Sequence, residues 1–510
     1  MTSAENNKRI AKNTIYLYFR MIILIAVSFY TVRVILENLG VEDYGLYNVV
    51  AGFVSMISFL NQSMTNSIQR FINYEMGRGD FESLNKHFES ALLSQSIISL
   101  IVVCISESIG IWFLNSQMNI PSDKVFAANV VFQLSILTLI FKILEAPFTA
   151  IIIAKEKMNF YAMISLFEAF GKLFIAYSIS IVKGNKIETY AFLLFVISLI
   201  VIICNVFYAK KLMTIIRIRL KYYKNILKNI LSFSGWNLFG AASGVIQGQG
   251  INVLMNIFFG VAINAARGVA YQISACIDQF VGNFQVAINP QIVQSYALKD
   301  MNRYKELTFY SAKISFVLIW FFTLPLLFCV EKVMNLWLGT NVPEHTVSFV
   351  KIIMCISLVN AFASSISVPI YATGKIKNYQ VTVSTINILV LPISYVFYLL
   401  DFIPETSMYV AFFIAIIAQI VRVFIWSRLT KFKTMHYVKE IILPALCIIL
   451  ISTFLLMITY SYIPDDFDFL NIICTVSLTT TVNIVLIYAI MLNTYERNKL
   501  KNIILKKLHT

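Results

Sequence analysis

The chain has 510 residues, of which 58% are hydrophobic, 14% aromatic and 13% charged, whereas soluble domains carry roughly 25% charged residues. That deficit, with a mean hydropathy of +0.76, excludes a soluble globular protein and places the chain among polytopic membrane proteins. The formal net charge of +15 would suit nucleic acid, but the basic residues gather in alternate loops between apolar runs, so membrane orientation accounts for them without a nucleic-acid partner.

A helix needs about 20 apolar residues to cross the hydrocarbon core, and fourteen stretches qualify, which predicts an all-α polytopic membrane protein. The first six run over 14–36, 45–70, 88–114, 124–153, 158–182 and 187–211, separated by short polar loops. The next six cover 231–258, 265–297, 305–330, 345–373, 378–400 and 406–429, and two more follow at 436–461 and 468–493. The opening MTSAENNKRIAKN is polar and basic, and the apolar run behind it is too long for a signal-peptide core and lacks a small-residue cleavage site. It is expected to stay attached as the first span. All seven cysteines lie in apolar segments and read as small hydrophobes.

Loops on the side of the N-terminus hold 29 Lys and Arg; those on the opposite side hold four, and ENLGVEDYG, DFIPETS and YIPDDFDF there are acidic. Both termini are therefore expected in the cytoplasm. A shift of 220 residues lays the first six spans on the next six, pairing Gly40 with Gly260, Asp80 with Asp300 and Lys155 with Lys375. Six is even, so the repeat is parallel. The expected domains are an N-lobe (1–220), a C-lobe (221–432) around a central cavity with it, and a segment (433–510) holding two extra spans and a basic tail.

Eight cations lie within the spans, Arg20, Arg33, Lys142, Lys172, Arg267, Lys313, Lys351 and Arg422, against the acids Glu107, Glu145, Glu168 and Asp278. A cation at the helix centre costs at least about 2.5 kcal/mol on insertion scales, so the set faces protein or water, or snorkels. Lys142 with Glu145, and Glu168 with Lys172, stand at helical i,i+3 and i,i+4 spacing. Lys313, Lys351 and Arg422 lie near span ends, where snorkelling is cheap. Arg20, Arg33 and Arg267 have no opposite charge one turn away.

In GVAINAARGVAYQISACIDQF the side chains of Arg267, Tyr271, Ser274 and Asp278, continued by Gln285, fall within about 40° of one line along a helix. Such a stripe lines an aqueous path. Arg267 and Asp278 stand about 16 Å apart along the axis, so Arg267 is expected to be free to meet a ligand. In the second span Gln62, Thr65, Asn66 and Gln69 repeat at i,i+3,i+4,i+7; amides there suit sugar hydroxyls and equally suit helix-to-helix hydrogen bonds. Gly240, Gly244 and Gly248 form overlapping GxxxG steps, which serve close packing or a gating hinge.

There is no phosphate-loop motif, the four histidines lack metal-ligand spacing, and no extramembrane loop exceeds about twenty residues. That weighs against a membrane transferase and against a bound cofactor or metal.

LENLGVEDYGLYNVV, with Leu39, Gly40, Tyr44 and Gly45, and GVAINAARGVAYQI followed by Pro290 and Asp300 resemble segments of the polysaccharide (Wzx-type, O-antigen) flippases of the MOP exporter superfamily. The fourteen-span layout is similar as well. The resemblance implies a non-enzymatic transporter of the bacterial cytoplasmic membrane that flips a polyprenyl-pyrophosphate-linked oligosaccharide to the outer leaflet. Its implied partners are membrane lipids, polysaccharide polymerase machinery and a coupling ion, Na+ or H+. Arg20, Arg33 and Arg267 would hold the pyrophosphate, and Gln62, Asn66, Gln69, Tyr271, Ser274, Asp278 and Gln285 would face the sugars. Glu168, Lys172, Asp278, Gly244 and Gly248 are candidates for coupling or gating. A drug or cation exporter of the MATE type, or a peptidoglycan-precursor flippase, is the alternative; the arginines in the first span, where an acid often stands, speak against drug export.

Overall fold

The computed structural model describes residues 3–56, 58–116, 122–181, 184–214, 216, 218–338, 343–462, 468–493 and 496–497, and their regular structure is entirely helical. The chain opens with α1 (Ser3–Met56), α2 (Ser58–Arg78), α3 (Phe81–Ile105), α4 (Ile111–Ser116), α5 (Val125–Ala154), α6 (Met158–Ser178) and α7 (Lys186–Leu212). It continues with α8 (Lys224–Phe259), α9 (Val261–Ala297), α10 (Met301–Leu338), α11 (Thr346–Ala372), α12 (Lys377–Ile388), α13 (Val390–Leu399), α14 (Thr406–Thr430), α15 (Thr434–Tyr437), α16 (Leu443–Tyr460) and α17 (Asp468–Leu486).

Among the described residues eleven helices are long and apolar enough to span a bilayer, and they coincide with the first, the third to sixth and the ninth to fourteenth expected spans. The second runs through residue 57, outside the described residues. The seventh and eighth are α8 and α9, long enough at 36 and 37 residues but diluted by glycine and by amides such as Gln247, Asn252 and Asn256.

One expected loop is absent. Residues 37–44 continue α1 as helix, because nothing there stops a backbone ladder: there is no proline, and Gly40 and Gly45 are tolerated in a helix at modest cost. The repeat partner of Gly40 behaves differently. Gly260 adopts φ +82°, the left-handed region that ends a helix, and separates α8 from α9. Prolines disturb two further helices. Pro392 cannot donate to the Ile388 carbonyl, where α12 ends, and Pro325 is followed by non-helical backbone at Cys329, whose Sγ donates to the Pro325 carbonyl at 2.9 Å.

The helices form two compact units. In Met1–Ala241 with Val286–Asp300, α1 packs along α6 and α5 along α7. The α5 side chains Val131, Phe132, Ile136, Leu139 and Ile143 meet Tyr190, Ala191, Ile197 and Val201 of α7 in one buried core. The turn after α5 is closed by buried Glu156: Arg9 donates to its two oxygens at 2.8 and 2.5 Å, with Asn13 and Gln291 at 3.4 and 3.3 Å. Gly77 lies against the backbone of Gln294, so close that a Cβ would sit 2.7 Å from Cα and 2.8 Å from the carbonyl oxygen.

In Ala242–Gln285 with Met301–Thr510, α11 packs between α10 and α14, and α17 lies along α10. Helix α17 buries Asn471, Thr475, Thr479 and Asn483, one residue per turn, and leaves Phe469, Leu470, Ile473, Ile484 and Val485 exposed. This inside-out pattern is what hydrocarbon solvent demands, because an amide gains nothing by facing lipid. Lys313 is buried and pairs with Glu496 at 2.9 Å, so it does not snorkel as expected; its partner is 183 residues away in sequence. All seven cysteines are free.

At the start of α14, Glu405 accepts from Ser348 Oγ at 2.7 Å and lies 2.6 Å from His345 Nδ1. Burial pushes this carboxyl up, but the hydrogen bonds from Ser348 and His345 outweigh it and hold it below the ordinary glutamate value. With a depressed folded value, its stabilisation is present above the unfolded value near about 4.3 and is lost as pH falls through the folded value. Glu405→Gln should therefore lower the thermal midpoint in detergent at neutral pH and lose that deficit progressively below pH about 4; an equal deficit at both pH values would contradict the clip. Gly77→Ala should cost about 2 kcal/mol through overpacking against backbone, whereas Gly282→Ala, where a Cβ meets nothing within 4 Å, should be neutral or slightly stabilising by thermal unfolding.

Candidate functional site

The second unit is organised around the polar stripe of α9, and tertiary contacts divide it into three. Arg267 is buried, with 4% of its surface exposed. Its Nη1 donates to Asn252 Oδ1 on α8, its guanidinium carbon lies 4.4 Å from the centroid of the Tyr271 ring, and its Nε has no partner. The residue is therefore not free, as its spacing suggested: the partner comes from another helix, which local sequence cannot display. An amide and an aromatic face orient the charge without cancelling it.

Two to three turns further on, Ser274, with Ser357 of α11, donates to Asp278 Oδ2, at 3.0 and 3.3 Å, and the two hydroxyls lie 2.8 Å from each other. Gln285 leaves the group, donating to Ser364 Oγ at 2.7 Å. Tyr271, Ser274 and Asp278 line a cavity of about 290 Å³, closed from other sides by α8, α11, α12 and α14. Gly244 and Gly248 border the same space, and a Cβ on either would meet nothing within 4 Å. The close approach falls instead on Gly250, where a Cβ would sit 2.6 Å from Leu391.

Arg422 also lines this cavity. It stood among the residues expected to snorkel; instead it is buried, with neither Nε nor Nη1 hydrogen-bonded. Its spacing could have revealed it, since Ala411, Ala415 and Arg422 fall on one face of α14 and all three border the cavity.

The first unit carries a second polar face. On α6, Tyr161, Ser165, Glu168 and Lys172 repeat at i,i+4,i+7,i+11, a stripe that the pairwise reading of Glu168 and Lys172 overlooked. The Arg20 guanidinium lies 4.7 Å from the Tyr161 ring centroid, and its buried Nε is unpartnered. Lys172 Nζ reaches Glu168 at 2.6 Å and Lys142 Nζ reaches the same oxygen at 3.6 Å, so one carboxylate is shared by two ammoniums. Glu145 takes other partners, Asn205 at 2.8 Å and Thr149 at 3.2 Å. On α2, Asn66 is exposed and Gln69 half-buried, while Ser63 and Ser67 occupy the packed face. The side chains of Arg33 and Gln62 lie outside the described residues.

No protein-family model matches the chain, and no curated protein matches its sequence. Its fold is that of solved MATE transporters. A multidrug-resistance MATE family transporter of the MOP superfamily, in an outward-facing conformation, matches with TM-score 0.71 at 14% identity over 84% of this chain and 99% of its own. A MOP superfamily transporter from Pyrococcus furiosus, described as having a binding pocket of reverse polarity that suggests a different function, matches with TM-score 0.69 at 14% identity over 83% and 97%. A MATE transporter in a bent conformation matches with TM-score 0.70 at 15% identity over 84% and 96%.

Because Glu168 neutralises two lysines within the membrane, Glu168→Gln should cost about 2 kcal/mol. The double variant Glu168→Gln, Lys172→Gln should recover part of that loss in a thermal double-mutant cycle; strict additivity would show Glu168 and Lys172 to be uncoupled.

Proposed function

We propose that this chain exports a polyprenyl-pyrophosphate-linked oligosaccharide, carrying its headgroup from the cytoplasmic to the outer leaflet of the bacterial cytoplasmic membrane by alternating access. It is a transporter rather than an enzyme, built as an N-lobe (1–220), a C-lobe (221–432) and two further spans, with both termini cytoplasmic. The observation that carries this reading is that Arg20, Arg267 and Arg422 lie within spans and no carboxylate neutralises them among the described residues.

A diphosphate headgroup brings about two negative charges into the membrane, and a charge pair at 4 Å is worth up to about 4 kcal/mol at an effective dielectric near 20. Two or three guanidiniums would offset much of its lost hydration. Arg20 and Arg267, with Arg33 near the outer end of its span, are the pyrophosphate ligands in this reading. Gln62, Asn66, Gln69, Tyr271, Ser274, Asp278 and Gln285 supply the hydroxyl-binding groups. The polyprenyl tail stays in lipid, and the exported unit passes to polysaccharide polymerase machinery.

If export is coupled to Na+ or H+, Asp278 is the better ligand, because its carboxylate borders open space while Glu168 is already shared between Lys142 and Lys172. Gly244 and Gly248, with open space where a Cβ would stand, leave α8 room to bend as that space fills. The alternative, a MATE-like exporter of drugs or cations or a peptidoglycan-precursor flippase, draws on the fold likeness. The cationic excess within the spans favours an anionic headgroup over a cationic drug.

Arg20→Gln and Arg267→Gln should each reduce surface polysaccharide at least about tenfold, the loss of one charge-assisted contact, with unchanged protein in the membrane fraction. Full polysaccharide from both variants would reject these arginines as headgroup ligands.

A further inference from the structure

The cavity of the second unit is chemically more specific than a water pocket. Arg422 is 91% buried by its 9% exposure, lines the cavity, and leaves Nε and Nη1 unsatisfied. One turn earlier on α14, Gln419 is buried with both amide atoms unpartnered. Gln419 does not border the cavity, but Asp278 lines it from α9 together with Arg422, its Oδ2 held by two serines. A buried polar group without a partner in a native fold calls for a ligand, water or ion to satisfy it, and a guanidinium calls for a planar anion.

We infer that this cavity binds a single acidic sugar residue, its carboxylate on Arg422 and its ring hydroxyls on Asp278 and the amides of Asn360 and Asn387. At about 290 Å³ the space lies at the small end of ligand pockets, which run about 300–1,000 Å³, and so accepts one pyranose rather than a disaccharide. Tyr271 adds an aromatic wall, which suits the apolar face of a sugar ring. A bare inorganic anion would satisfy Arg422 but leave the Asp278 carboxylate facing a like charge. A neutral sugar would satisfy Asp278 and leave the guanidinium unpaired. A hexuronate-type residue answers both ends. For its physiological ligand this rests on the export reading, in which that residue belongs to the lipid-linked headgroup.

The test is equilibrium binding of radiolabelled glucuronate to the detergent-purified full chain, with unlabelled glucuronate, glucose and inorganic phosphate as competitors. Saturable glucuronate binding is expected, with glucose at least about tenfold weaker, phosphate ineffective, and the preference for glucuronate over glucose abolished by Arg422→Gln. Asp278→Asn should weaken glucuronate and glucose alike. Arg422→Lys, which keeps the charge, should retain part of the preference and covers the case in which Arg422→Gln does not fold. Absence of saturable binding, displacement by phosphate as effective as by glucuronate, or affinity unchanged in Arg422→Gln would overturn the inference. Glucuronate binding without headgroup export in vesicles would sink the export reading and leave the site standing; export without glucuronate binding would do the reverse.

Discussion

Hydrocarbon offers no hydrogen-bond partner to a polar side chain, and the rest of the structure follows from how each such group finds one within the protein. Helix α17 turns Asn471, Thr475, Thr479 and Asn483 inward and Phe469, Ile473 and Ile484 outward, the reverse of a soluble helix. Lys313 reaches across to Glu496, Glu168 is shared by Lys142 and Lys172, and Glu156 draws Arg9, Asn13 and Gln291 to one turn. These pairings pin helices together where apolar packing alone gives little preference between protein and lipid.

The arginines follow a different rule. Arg267 rests on an amide and a tyrosine ring, Arg20 on a tyrosine ring, and Arg422 on no partner for two of its nitrogens. An amide or aromatic face fixes where a guanidinium points yet leaves its charge intact, so the field extends to whatever enters beside it. Lys142, Lys172 and Lys313 are neutralised by carboxylates, whereas Arg20, Arg267 and Arg422 are positioned without being neutralised. That division separates structural charge from charge available to a ligand, and it holds within each unit taken by itself.

Much of this was legible in the order of residues. Eleven of the expected spans coincide with membrane-length apolar helices, because a run of about twenty apolar residues has one comfortable environment. The stripe on α9 was legible from its helical period, as was the pairing of Glu168 with Lys172 one turn apart. The break at Gly260 was legible too, falling between the expected spans 231–258 and 265–297, but the missing break at Gly40 was not, since both glycines sit in similar local sequence and only one adopts a positive φ.

By itself, then, the sequence determined the solvent, the helices and the polar periodicities, since hydropathy and the 3.6-residue repeat are properties of single segments. Tertiary structure decided which charges are spent and which remain. The partners of Arg267, Lys313 and Glu156 arrive from other helices, and Arg422, which its position near a span end marked for snorkelling, became a buried wall of a cavity once α8, α9, α11 and α12 closed around it. Packing brings together residues far apart in the chain, and no local pattern encodes which of them will meet.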